Sequence, residues 1–178
     1  MKLDKSIMEQ FKLDPVEEKE PINVVKISDA LDFMKECSDR LIKKSNLYVS
    51  TDDADVQADC IDIVIARLND FTQVFKDIVI FLREKEGTHK QGLDSLRYCV
   101  TSYDTYGFDK SDEEKNFLSE LLLRNEITHD YFNREIHQMK LIKLMRNFIA
   151  GAQDVYLNLY GYCKDKGLLD EYLDRNRK

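Results

Sequence analysis

Residues 53–86 read DADVQADCIDIVIARLNDFTQVFKDIVIFLREKE, and this stretch decides the fold. Val56, Cys60, Ile63, Val64, Phe71, Val74, Phe75, Ile78 and Leu82 fall on one broad stripe when the chain is wound at 3.6 residues per turn. Asp52, Asp53 and Asp55 stand at its start, where negative charge suits the helix dipole. Gly87 closes it. The spacing therefore predicts one long helix from about Asp53 to Glu86.

The flanking segments repeat the pattern. Residues 28–44 form a helix with Ser28 as N-cap and Leu31, Met34, Cys37 or Ser38, and Leu41 on one face. A polar connection over 48–53 leads into the long helix. Residues 92–103 place Leu93, Leu96, Val100 and Tyr103 inward, and 104–110, with Gly107, break that helix. Ser111-Asp112-Glu113-Glu114 has the spacing of a capping box, and Phe117, Leu118, Leu121 and Leu122 carry the next apolar face up to Arg124. A last long helix is predicted over 134–164 from Ile136, Met139, Ile142, Met145, Ile149, Ala152, Tyr156, Leu159 and Cys163, with Gly167 as its stop. Residues 168–178 read as a tail with a short helix and a basic end.

No strand-like alternation, repeat or low-complexity segment is visible. Both prolines, Pro15 and Pro21, lie near the N-terminus, so nothing interrupts the helices beyond position 21. The expectation is an all-α, up-and-down bundle of four to five helices, mostly antiparallel because the connections are short. Residues 1–27 form an arm or linker, in which Met8 and Phe11 can make a docking turn; 28–167 form the bundle; 168–178 form the tail. Two helices of about 30 residues exceed what a small bundle needs and offer a dimer interface.

Composition bounds the function. The chain has 178 residues, 43% hydrophobic and 34% charged, which is globular. No apolar run approaches the roughly 18–20 residues that span a bilayer, and the N-terminus has no signal core, so no membrane partner and a cytoplasmic location are expected. Cys37, Cys60, Cys99 and Cys163 form no CxxC pair, which points to reduced, buried thiols and no metal site. Asp53 and Asp55 have the spacing of a magnesium pair, but no Gly-Ser turn on a strand precedes them, so they read as a solvated helix start. No cofactor is expected. A net charge of −7 argues against broad nonspecific DNA binding and leaves room for a small basic cleft that handles one phosphodiester.

Such a cleft has a candidate in Arg124-Asn125-Glu126-Ile127-Thr128-His129-Asp130-Tyr131. Arg124 offers a charged fork that matches a phosphate, and His129 can exchange a proton near neutral pH. Metal-independent RNA cleavage needs those groups: a base for the ribose 2′-OH, an acid for the leaving 5′-oxygen and a cation for the phosphorane charge. Positions 124 and 129 would diverge by about 140° on an unbroken helix, so they can flank a cleft but not share a face. One chain supplies one well-placed histidine where two proton carriers are wanted, and a twofold dimer would supply both. Residues 124–146 hold five cations and three anions within a chain of net charge −7. Arg134, His137 and Lys140 can form a basic rim for RNA or nucleotide. The same residues also have a purely structural reading: Arg124 paired to a carboxylate, His129 capping a helix, and Tyr131 with Phe132 in the core. His89, in the loop Gly87-Thr88-His89-Lys90, reads as exposed.

Arg124-Asn125-x-x-x-His129-x-Tyr131 resembles the R-x4-H-x-Y signature of HEPN domains, in particular the HepT-like and substrate-binding members that pair with minimal nucleotidyltransferases. The resemblance covers roughly residues 28–165. It implies a homodimeric helical bundle with two motifs facing one cleft. It implies Arg124 and His129 as the catalytic pair of a metal-independent endoribonuclease, typically a toxin, with Asn125 in support. Tyr131 matches the position that the partner nucleotidyltransferase modifies with AMP. The alternative within the family is a noncatalytic subunit that presents nucleotide or substrate to that partner. Leu121-Leu122-Leu123 departs from the Gly-Phe that precedes the arginine in many HepT-like members.

Overall fold

A computed structural model describes residues 24–90, 92, 94–127 and 134–174, and at 124–127 and 134–138 it describes the backbone alone. The element order is β1 (Val24–Lys26), α1 (Ile27–Ser50), α2 (Ala54–Lys85), α3 (Leu96–Asp104), α4 (Asp112–Ile127), α5 (Arg134–Asn147), α6 (Gly151–Asp165) and β2 (Tyr172–Asp174). The fold is an all-α helical bundle. α1 and α2 form a long hairpin; α6 and α5 pack on α1, α4 packs on α5 and α6, and α3 bridges α2 to α4. Phe71 of α2 meets Phe117 of α4 edge to face, with ring centroids 5.5 Å apart, and closes the bundle.

The long helix follows its sequence pattern closely. The Asp53 carboxylate caps it, accepting from the backbone N–H of Asp55 at 2.9 Å and of Val56 at 3.2 Å. At the other end Gly87 takes φ 66°, and Thr88 N–H reaches back to the Arg83 carbonyl at 2.8 Å. That is a glycine-dependent C-terminal closure, and Gly167 repeats it after α6. The core stripe buries Cys60, Val64, Phe71, Val74, Phe75, Ile78 and Leu82, with Leu31, Met34, Cys37 and Leu41 of α1 opposite.

The helix expected over 92–103 begins at Leu96, where Ser95 caps it, and Leu93 lies outside the described residues. Four more features of the scaffold differ from the sequence expectation, each for a tertiary reason. First, α1 begins at Ile27, and Ser28 lies inside the helix instead of capping it. The orphan N–H groups of Ile27 and Ser28 donate to the Glu171 and Leu169 carbonyls at 2.9 and 3.1 Å, so the tail does the work of a capping side chain. Second, the tail is not helical at its end: Tyr172–Asp174 pairs antiparallel with Val24–Lys26, Val25 opposite Leu173. This short sheet clips the two ends of the bundle together. Third, α1 continues to Ser50 through the stretch expected as connection, because Ser45 and Tyr48 are buried against the hairpin.

Fourth, the predicted helix 134–164 is two helices, broken at Phe148–Ala150. Gly151 stands at the break and lets α6 approach α4 closely. A Cβ there would sit 2.5 Å from the Glu113 carbonyl oxygen and 2.7 Å from Phe117 Cβ, so the backbone of α6 lies directly against α4. The break also rephases the apolar face. α5 buries Leu141, Leu144 and Met145, whereas Met139 is 71% exposed.

Candidate functional site

The described part of the motif is its frame. Arg124 and Asn125 lie on the last turns of α4, and Arg134, His137 and Lys140 on the first two turns of α5. His129 and Tyr131 lie outside the described residues. The two helices that bracket them pack on each other and are held by an ion pair from the Lys143 ammonium to the Glu120 carboxylate. The Glu120 side chain is only 10% exposed, and Lys143 also lies over the Phe148 ring, 5.6 Å from its centroid. Glu120 precedes Arg124 by one helical turn, so the pair fixes α5 beside the part of α4 that carries the arginine. Lys140 is half-buried on the same helix. Leu123 (40% exposed) and Met139 (71%) leave an apolar surface on either side of the junction.

Asp53 and Asp55 are exposed, and the Asp53 carboxylate is committed to capping α2. Among the described residues no group of three or more His, Cys, Asp or Glu side chains could hold a metal ion. The four cysteines are free and buried. Burial pushes the Cys37 thiol up to about 11 and the Cys99 and Cys163 thiols up to about 12, so none of these three is a nucleophile at neutral pH. Among the described residues no helix is long and apolar enough to cross a membrane.

Two polar clusters had no signal in the sequence. The first is in the core. Glu114 was expected to complete a capping box, and half of that box forms: Glu114 N–H donates to Ser111 Oγ at 3.0 Å. Its carboxylate does not turn back to the backbone. It is 1% exposed and accepts from the Tyr103 hydroxyl at 2.5 Å and from Asn158 Nδ2 at 2.9 Å. One carboxylate thus ties α3, α4 and α6 together, and Ser111 Oγ adds a 2.6 Å bond to Asp154 on α6. Burial pushes the Glu114 carboxyl above its ordinary range, while the two donors pull it back. Burial and the bond to Glu114 push the Tyr103 hydroxyl far up. A glutamate three residues after a serine looks the same in sequence whether it caps or is buried.

The second cluster surrounds His89. That side chain is not exposed as expected: it is 14% accessible, with Nε2 3.6 Å from Asp94 Oδ1 and its ring 5.9 Å from the Tyr98 ring. Arg83, Glu86, Tyr106 and Tyr162 complete the neighbourhood, with Tyr162 donating to Glu86 at 2.8 Å and packing on Tyr106 at 4.8 Å.

Comparisons with protein-family models, with characterised proteins and with solved structures return no match.

Proposed function

We propose that this chain is a HEPN-like protein acting as a metal-independent endoribonuclease, the toxin of a pair with a minimal nucleotidyltransferase. The observation that carries the reading is the position of the motif. Arg124 and Asn125 lie on the last turns of α4, residues 128–133 join α4 to α5 in the sequence, and Glu120 and Lys143 hold those two helices together. In this reading Arg124 steadies the phosphorane charge, and His129 from each of two copies supplies the base and the acid. Asn125 supports Arg124. Arg134, His137 and Lys140 line the approach of RNA. Exposed Leu123 and Met139 support a homodimer, because apolar side chains beside the junction gain by being covered. AMP added to Tyr131 by the partner would block the cleft by charge and size.

The test is cleavage of total RNA by purified protein, with growth of cells expressing it. The wild type is expected to cut RNA and arrest growth. Arg124→Ala and His129→Ala are expected to abolish both while retaining the helical circular dichroism of the parent. Intact RNA with the wild type, together with nucleotide binding and capture of the nucleotidyltransferase, would instead establish the noncatalytic subunit.

A further inference from the structure

A group of buried polar atoms sits where the end of α2, the residues 86–90 that follow it, α3 and Tyr106 just beyond α3 meet. Among the described residues five buried side-chain nitrogen or oxygen atoms have no hydrogen-bond partner in the protein. Four belong to this one neighbourhood: Arg83 Nε, His89 Nδ1, Tyr98 OH and Tyr106 OH. Folded proteins pair more than nine in ten such groups with protein or ordered water, so four together mark a place where something outside the protein completes the bonding.

The proximity of the four is set by contacts already described and a few more. Arg83 Nη1 reaches Thr105 Oγ1 at 3.5 Å, beside Tyr106. The His89 and Tyr98 rings meet edge to face. Burial is the chief cause that raises the Tyr106 hydroxyl, and the charges of Glu86, Arg83, Tyr162 and Tyr98 also reach it, which puts these polar ends in one neighbourhood.

The donor inventory defines the ligand. Arg83 Nε can only donate, both phenols can donate, and none of the four atoms carries negative charge. One water accepts two hydrogen bonds, which is too few for this set. A cation would meet a guanidinium. The nearby carboxylates are already engaged. Glu86 accepts from Tyr162 and lies 3.6 Å from Arg83 Nη1, and Asp94 faces His89 Nε2; their side chains are 33% and 46% exposed.

We propose that this cluster binds a small oxyanion of the sulfate, phosphate or carboxylate class, held by Arg83 Nε, Tyr98 OH, Tyr106 OH and His89 Nδ1. His89 presents Nδ1 to the anion, and its Nε2 faces Asp94 Oδ1 at 3.6 Å. The site is separate from the α4–α5 junction and does not depend on the proposed ribonuclease activity.

The experiment is calorimetric titration of the full chain with sodium sulfate and with sodium formate at constant ionic strength, chloride serving as the control anion. The wild type is expected to bind at least one of the two oxyanions over chloride. Tyr98→Phe and Tyr106→Phe keep the ring packing and remove one donor each. Each is expected to weaken binding roughly tenfold or more, the worth of one hydrogen bond to a charged acceptor. Melting without oxyanion separates binding from folding: there the Phe variants should match or exceed the wild type, because a buried unpaired hydroxyl is lost. Equal affinity in wild type and both variants, or no binding beyond chloride, would overturn the assignment and leave ordered water as the partner of these atoms.

Discussion

Replacing Gly151 with alanine sets two physical effects against each other. Helix propensity favours alanine over glycine by about 1 kcal/mol. Packing opposes it, because the new Cβ would lie 2.5 Å from the Glu113 carbonyl oxygen and 2.7 Å from Phe117 Cβ. Both obstacles are close to the backbone of α4, so no flexible side chain can swing away. α6 must retreat from α4 by about half an ångström or more, which loosens the contacts of Phe117, Ala152 and Val155. Overpacking of this kind costs about 1–3 kcal/mol, and rigid obstacles place it at the upper end. We expect a net loss of about 2 kcal/mol, or a melting temperature lower by roughly 4–8 °C at this chain length. Gly161 lies on the same helix, and a Cβ added there would meet no atom within 4 Å, so it supplies the control. Gly161→Ala should gain about 0.5–1 kcal/mol. Urea denaturation of the three proteins measures both signs. If Gly151→Ala is as stable as the parent, the close approach of α6 to α4 is wrong; if Gly161→Ala falls equally, propensity and local helix geometry are wrong instead.

Three further outcomes follow from the polar contacts. Glu114 has a raised carboxyl in the folded state, so its contribution is fully present below the ordinary carboxylate range and is lost as pH rises through the folded value. Glu114→Gln should therefore flatten the decline in the urea midpoint as pH is raised from about 4, and an unchanged slope would remove Glu114 as its source. In the Lys143–Glu120 pair the carboxylate is buried and the ammonium half-exposed. Lys143→Ala should destabilise more than Glu120→Ala, because only the first leaves a buried charge without its partner; equal losses in thermal melts would refute that asymmetry. Finally, the four buried thiols should resist a thiol-specific reagent in the native state and react together in denaturant. Rapid native labelling of any one of them would contradict its burial.

Much of the helical scaffold was legible in advance. The stripe from Val56 to Leu82, the helix start at Asp53, and the stops at Gly87 and Gly167 are local features, set by the helical period and by backbone chemistry within one turn. The inward faces of 28–44 and 111–122 were legible for the same reason. The candidate site was legible as residue types only. Arg124, Asn125, Arg134, His137 and Lys140 fall on the two helices that flank the motif, whereas the pairing of Lys143 with Glu120 across that junction had no local signature.

The sequence by itself determined that this chain is helical and which faces are apolar, because those properties repeat every 3.6 residues whatever lies opposite. Only the tertiary structure decided where the last helix breaks, which end of α1 the tail caps, and that β1 finds β2. It also decided that Glu114 and His89 are shielded from solvent. Each of these depends on a neighbour far away in the chain or across a turn: the α4 backbone for Gly151, the Leu169 and Glu171 carbonyls for α1, Tyr103 and Asn158 for Glu114, Tyr98 for His89. A glycine, a glutamate or a histidine carries no local sign of what will be packed against it, and the packing is what fixes its role.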